Sequence, residues 1–281
     1  MNRSENTSLG KWIVPILLYA AVVSVFIIRT VLAYSYVMPS LFDIFNLATL
    51  LISGIVLLRS YSSLSRLDVL ISLLSGCVFG LFVTFTTFYP LLNFNSSLLT
   101  SFGHGASLSI ILAAGLILMR AGGPVRLNLA EREYRNSQKG VLLGLLLGIP
   151  FAILNAVAFA LMQGQAFSLQ DPIASALGAL QPGFVEEVVY RLTFLSLVWA
   201  AIKDQNPKYA IPLAALLALL VHNYSHLSDL FVVQPLFAIA YGAVLGLLFG
   251  VPPTLLALRR NLESAIAFHW IVDFVRFLSG F

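Results

Sequence analysis

Apolar stretches of about twenty residues recur along this chain from Trp12 to Leu278, and the basic residues fall almost entirely between them. A hydrocarbon layer of about 30 Å takes roughly 20 helical residues to cross, so each stretch is long enough, or nearly so, to span one. Nine candidate spans follow: 12–34, 41–58, 69–90, 104–119, 140–162, 173–202, 209–226, 235–250 and 262–278. With 59% hydrophobic and only 10% charged residues, the chain lacks the polar surface a soluble protein of this length needs. The expected fold is all-α, a polytopic transmembrane bundle of eight or nine helices. The first stretch is too long for a signal-peptide core and runs straight into another span, so it reads as a retained anchor.

Charge placement tests this division independently. Arg3, Lys11, Arg59, Arg66, Arg120, Arg126, Arg132, Arg135, Lys139, Lys203, Lys208, Arg259 and Arg260 all lie in the N-terminal tail or in alternate loops. The positive-inside rule then puts the N-terminus and those loops in the cytoplasm, with the cell membrane as the expected location. The basic balance thus reflects loop topology. No basic patch interleaves with aromatics, so nucleic acid is not an expected partner; the lipid bilayer is. Arg29 and Arg276, near the outer span ends, are placed to snorkel, which leaves Arg191 as the one cation far from any charged loop. Cys77 is the only cysteine, so no internal disulfide can form.

The polar connection Arg120 to Lys139 divides the chain into four N-terminal spans with their basic loop (1–139) and a C-terminal unit (140–281). Ionisable residues inside spans concentrate in the second unit, where each is costly and usually marks a site or its supports. "PGFVEEVVYRLTF" (Pro182 to Phe194) carries Glu187 and Arg191 four apart, on one helical face in the favourable order for an ion pair. Glu186 is rotated about 100° from Glu187 and left to address another partner. "LLVHNYSH" repeats the four-residue spacing with His222 and His226, and "AFHWIVDF" repeats it with His269 and Asp273. Each pair alone fits a structural tie between helices. Three polar faces on three spans point instead to one shared site, since polar faces in lipid turn toward one another.

A glutamate beside histidines can activate a water, and a second imidazole can stabilise the oxyanion formed on a carbonyl. No G-x-S-x-G nucleophile elbow is present. HxxxH with a carboxylate can also hold zinc, but the HExxH order is absent because position 223 is asparagine. Neither a metal nor another cofactor is expected.

These residues resemble a known family. "EEVVYR" (Glu186 to Arg191) fits the EExxxR signature of the CAAX prenyl protease and bacteriocin-processing family of intramembrane glutamic proteases. "HWIVD" (His269 to Asp273) is similar to its closing HxxxN/D motif, and the glycine-bearing "AIAYGAVLGLLFG" is also similar to the family's pattern. The resemblance covers residues 140 to 279. It implies a glutamate-dependent endopeptidase that cleaves a membrane-associated or lipidated peptide. Glu186 would activate the water with a histidine of the second motif, Glu187 and Arg191 would brace the site, and His269 with Asp273 would form the oxyanion side. The family's second motif is FxxxH; Ala218 stands at the phenylalanine position if the histidine is His222, and His222 itself stands there if it is His226. Asp273 replaces the asparagine of the prenyl endopeptidases. An ionised aspartate cannot donate to an oxyanion, so Asp273 is either protonated or orients His269. Other functions compatible with the sequence are a membrane scaffold or immunity factor of the same family, a zinc protease and a proton-coupled transporter.

Overall fold

The computed structural model describes residues 10–83, 91 and 96–281, and within them the chain is helical with no strand. Arg3 and the end of the expected third span (84–90) lie outside the described residues. We number the helices α1 (Ile13–Ala33), α2 (Leu41–Ser60), α3 (Arg66–Phe82), α4 (Ser97–Arg120), α5 (Tyr134–Gln163), α6 (172–202), α7 (Ala210–Ser225), α8 (Ser228–Val233), α9 (Pro235–Arg259) and α10 (Leu262–Leu278). Five of these elements are both long and apolar enough to cross a membrane: α1 and α2, each with an adjoining short 3-10 turn, and α4, α5 and α9. The structure is thus an all-α polytopic bundle. Some boundaries shift outward from the sequence expectation: α4 begins seven residues earlier than 104, and α9 continues past 250 to Arg259.

Local chemistry sets the helix ends. Ser40 and Ser65 each cap a helix and pair with an aspartate three residues on, Asp43 and Asp68, in reciprocal capping boxes. Asp171 caps α6 by accepting from Ala174 N at 2.7 Å, with Pro172 at the first helical position, where its missing N–H costs nothing. Asn261 caps α10 through Ser264 N at 2.9 Å.

Burial divides the bundle into an inner and an outer set. Most of the α4 span is buried, and its side chains pack against the middle of α6. Hardly any of α1 is buried; Ile16, Leu17 and Val31 face outward as a lipid-contacting surface. The α5 and α10 helices form an extensive pairing. Gly144 of α5 lies so close to α10 that a Cβ there would collide with the Ser264 carbonyl oxygen, the small-residue contact that lets membrane helices approach.

The expectation that Arg29 and Arg276 snorkel is overturned. Arg29 is buried at 4% exposure and donates to Pro39 O, Ser228 O and Asp229 Oδ1 at 3.0, 2.6 and 3.0 Å. It ties α1 to the start of α8 and to the segment just before α2. Arg276 pairs with Asp273 at 3.0 Å and lies over the Phe159 and Phe277 rings. Each found an acid close in space: Arg276 the buried Asp273, and Arg29 the exposed carboxylate of Asp229, with two backbone carbonyls fixing its guanidinium.

Candidate active site

The stretch Pro182–Phe194 is π-helical in the middle of an otherwise α-helical α6. Pro182 has no N–H to donate to the preceding turn, and the i→i+5 pattern takes over from it, widening the helix where the glutamates sit. Gly183 then lets α10 come close: a Cβ there would stand 3.0 Å from the backbone of Trp270. Trp270 Nε1 locks the contact by donating to Ala176 O at 3.0 Å. The residue before Trp270 is His269, so this approach sets a histidine against the glutamate face.

The two glutamates diverge as their rotation requires. Glu187, fully buried, holds Arg191 Nη1 at 3.0 Å and His269 Nδ1 at 2.9 Å, both on Oε1. Glu186 faces α7, where His222 Nε2 lies 2.6 Å from its Oε2. The same oxygen is 3.6 Å from His226 Nε2 and 3.8 Å from His269 Nε2. His269 Nε2 also faces Asp273 Oδ2 at 3.4 Å. The structure therefore brings Glu186, Glu187, Arg191, His222, His226, His269 and Asp273 into one cluster. His222 is in direct contact with Glu186, and His226, with nearly half its side chain exposed, forms the rim.

Several neighbours carry no signal in any motif. Tyr190 packs its ring on His222 at 4.6 Å and donates to Asn46 Oδ1 of α2 at 2.9 Å. Phe42 of α2 packs its ring, tilted by 40°, against His226 at 5.2 Å. The N-terminal helices thus reach the cluster, which the concentration of ionisable residues in the second unit gave no reason to expect. Arg276 is the one partner with a readable signal, standing three residues after Asp273 on the same helical face.

Charge balance constrains the cluster further. Glu186, Glu187 and Asp273 are three buried carboxylates facing two guanidiniums, Arg191 and Arg276. An uncompensated charge in this environment is expensive, so one proton held among the histidines completes the balance. The cluster floors a cavity of about 1200 Å³, larger than most small-ligand pockets and walled mainly by aliphatic and aromatic side chains.

A metal is the one cofactor that these residues could hold. One ligand atom each from Glu186, His222 and His226 falls within 4.8 Å of the others. The His226 spacings, 3.6 and 3.4 Å, suit ligands on a tetrahedral ion with bonds of about 2.0–2.2 Å. The 2.6 Å between Glu186 and His222 is a hydrogen bond and would have to lengthen before both could bind one ion.

Residues 168–275 match the family model described as type II CAAX prenyl endopeptidase Rce1-like. The match runs from just before α6 to Val275, one residue short of Arg276, and leaves out α5, which the sequence resemblance had included. No curated protein and no solved structure matches the chain.

Proposed function

We propose that this Rce1-like region, a domain of a protease family, makes the chain an intramembrane endopeptidase that uses Glu186 to activate water. The observation that carries the reading is one oxygen, Glu186 Oε2, lying 2.6, 3.6 and 3.8 Å from three imidazole nitrogens at the floor of the cavity. A water seated beside Oε2 gives it a proton and attacks the scissile carbonyl. His222 holds the carboxylate in place. His269, with Glu187 on one nitrogen and Glu186 and Asp273 facing the other, donates to the oxyanion, and Glu186 returns the proton to the leaving amine. Asp273, paired with Arg276, serves as an orienting acceptor and has no need to be protonated. Glu187 and Arg191 brace His269 from behind. The substrate is a membrane-associated or lipidated peptide. The N-terminus and the basic loops are cytoplasmic, in the cell membrane, by the same charge asymmetry that divides the spans.

The test is Glu186→Gln in purified protein reconstituted in lipid vesicles with a pool of acylated fluorogenic peptides. Loss of a general base lowers the rate by about 10²- to 10⁴-fold, with the helical spectrum and thermal transition unchanged. Hydrolysis at the wild-type rate would end the assignment. A zinc-dependent reading is favoured by the Glu186, His222 and His226 ligand geometry. On the glutamate mechanism, activity survives exhaustive chelation and does not rise on adding zinc; activity lost to a chelator and restored by zinc would transfer the reaction to the metal.

A further inference from the structure

The cavity has a direction. Among the described residues its walls come from six helices, and most of the contributing residues occupy the half remote from the basic loops; Phe249, Phe268 and His269 lie just across the midpoints of α9 and α10. Phe82 ends α3, Phe159 lies in the last third of α5, His226 follows the end of α7 and Phe277 is next to last in α10. All four of these helices start at the basic end. The remaining two, α6 and α9, run the opposite way and contribute Ile173, from the first turn of α6, and Tyr241, from the first third of α9. Among the described residues, no wall residue comes from a basic loop. The mouth is therefore at the far end, where both described cations are already paired, Arg29 with Asp229 and Arg276 with Asp273. Its rim is mainly apolar and outward-facing, with Ile173 72% exposed and Asp171 and His226 as its polar members.

From the other end the route is closed. Glu186 stands 17 residues before Lys203, about 25 Å of helix, and the intervening turns of α6 are buried from Val188 to Thr193 against α4 and its neighbours. A chain end presented from the cytoplasm would have to cross that packed half.

We propose that the substrate is the extracytoplasmic flank of a membrane-anchored polypeptide, entering through the mouth remote from the basic loops, and is not a cytoplasmic lipidated C-terminus. This rests on the protease reading of the cluster and on the basic loops being cytoplasmic. A mainly apolar rim leading to a polar floor matches a segment that leaves its anchor at the outer leaflet and carries its first polar peptide bonds down to Glu186.

Two experiments separate the parts. In a Cys77→Ser background, Ile173→Cys and, as a marker of the basic side, Gln138→Cys are treated with a membrane-impermeant maleimide in right-side-out and inverted vesicles. A permeant maleimide sets the full signal. Ile173→Cys should be modified only in right-side-out vesicles and Gln138→Cys only in inverted ones; Ile173→Cys modified only in inverted vesicles, or protected in both, overturns the proposal. Next, a single hydrophobic anchor carrying a randomised peptide segment on its outer or its inner flank is co-expressed with wild-type protein or Glu186→Gln. Cleavage should be confined to the outer flank and fall at least tenfold in Glu186→Gln. Glu186-dependent cleavage of the inner flank refutes the entry side. Absence of cleavage on both flanks, with Ile173→Cys modified from outside, removes the protease reading and the substrate with it while the direction of the cavity stands.

Discussion

Removing one member of the Glu187–Arg191 pair should cost far more than removing both. The side chains are 0% and 2% exposed, so solvent screening, which holds surface pairs to about 0–1 kcal/mol, does not operate. Breaking a buried pair costs about 3–5 kcal/mol because a charge is left behind. Two details place the variants within that range. Arg191→Met strands Glu187, but Glu187 keeps His269 at 2.9 Å, so the loss falls near the lower end, about 3 kcal/mol. Glu187→Gln strands Arg191, whose Nη1 and Nη2 have no hydrogen-bond partner among the described residues, so the loss falls near the upper end, about 5 kcal/mol. The double variant removes both charges of the pair together and should lose about 2 kcal/mol or less, since well-packed neutral replacements of buried pairs are often close to neutral. The assay is unfolding of purified protein in mixed micelles at rising SDS content, with the coupling energy read from the four-protein cycle. Singles that cost below about 1 kcal/mol, or a double within about 0.5 kcal/mol of their sum, would refute the brace.

Two further outcomes follow from the packing around the cluster. Gly183→Val places a branched side chain against the Trp270 backbone, which should separate α6 from α10, cost about 1–3 kcal/mol of stability and break the Glu187–His269 contact; thermal unfolding and peptide hydrolysis measured on the same sample would show both losses. Arg29→Gln removes the clamp on Ser228 and Asp229 and frees the turn that carries His226. Displacing a group at the rim by about 1 Å costs up to about 10²-fold in rate, so kcat should fall with the fold intact, and faster hydrogen exchange across 225–229 would locate the cause.

The bundle was legible because two independent patterns, apolar length and alternating basic loops, marked the same boundaries. The four-residue spacings were legible for a related reason. Residues four apart share a face in an α-helix, and Glu187 with Arg191 still meet at 3.0 Å although their segment is π-helical. What could not be read was anything set by contact between distant segments. Arg29 looked like a snorkelling residue because its partner, Asp229, lies 200 positions away. Tyr190 and Asn46 sit in apolar surroundings at ordinary spacing, and their hydrogen bond depends on how α2 crosses α6, which no local pattern encodes. The π-helical run was half visible, since Pro182 and Gly183 announced a break at that point. Its consequence was not, because the break continues the helix and widens it.

That widening bears on how the cluster works. In a bundle whose helices pack side by side, polar residues on three of them converge only if one of the helices can be approached closely from two directions. Gly183 admits α10 on one side of α6, and the rotation from Glu187 to Glu186 turns the second carboxylate toward α7 on another. Adjacent glutamates then serve separate partners, one held between Arg191 and His269 and the other exposed to the cavity floor beside His222. Two carboxylates at neighbouring positions on the widened turn, with the close-packed one neutralised by its brace, leave one of the pair facing the cavity. On the proposed mechanism the EE pair divides support from chemistry, and a variant that removes only the second, Glu186→Gln with Glu187 intact, should keep the fold and lose the reaction.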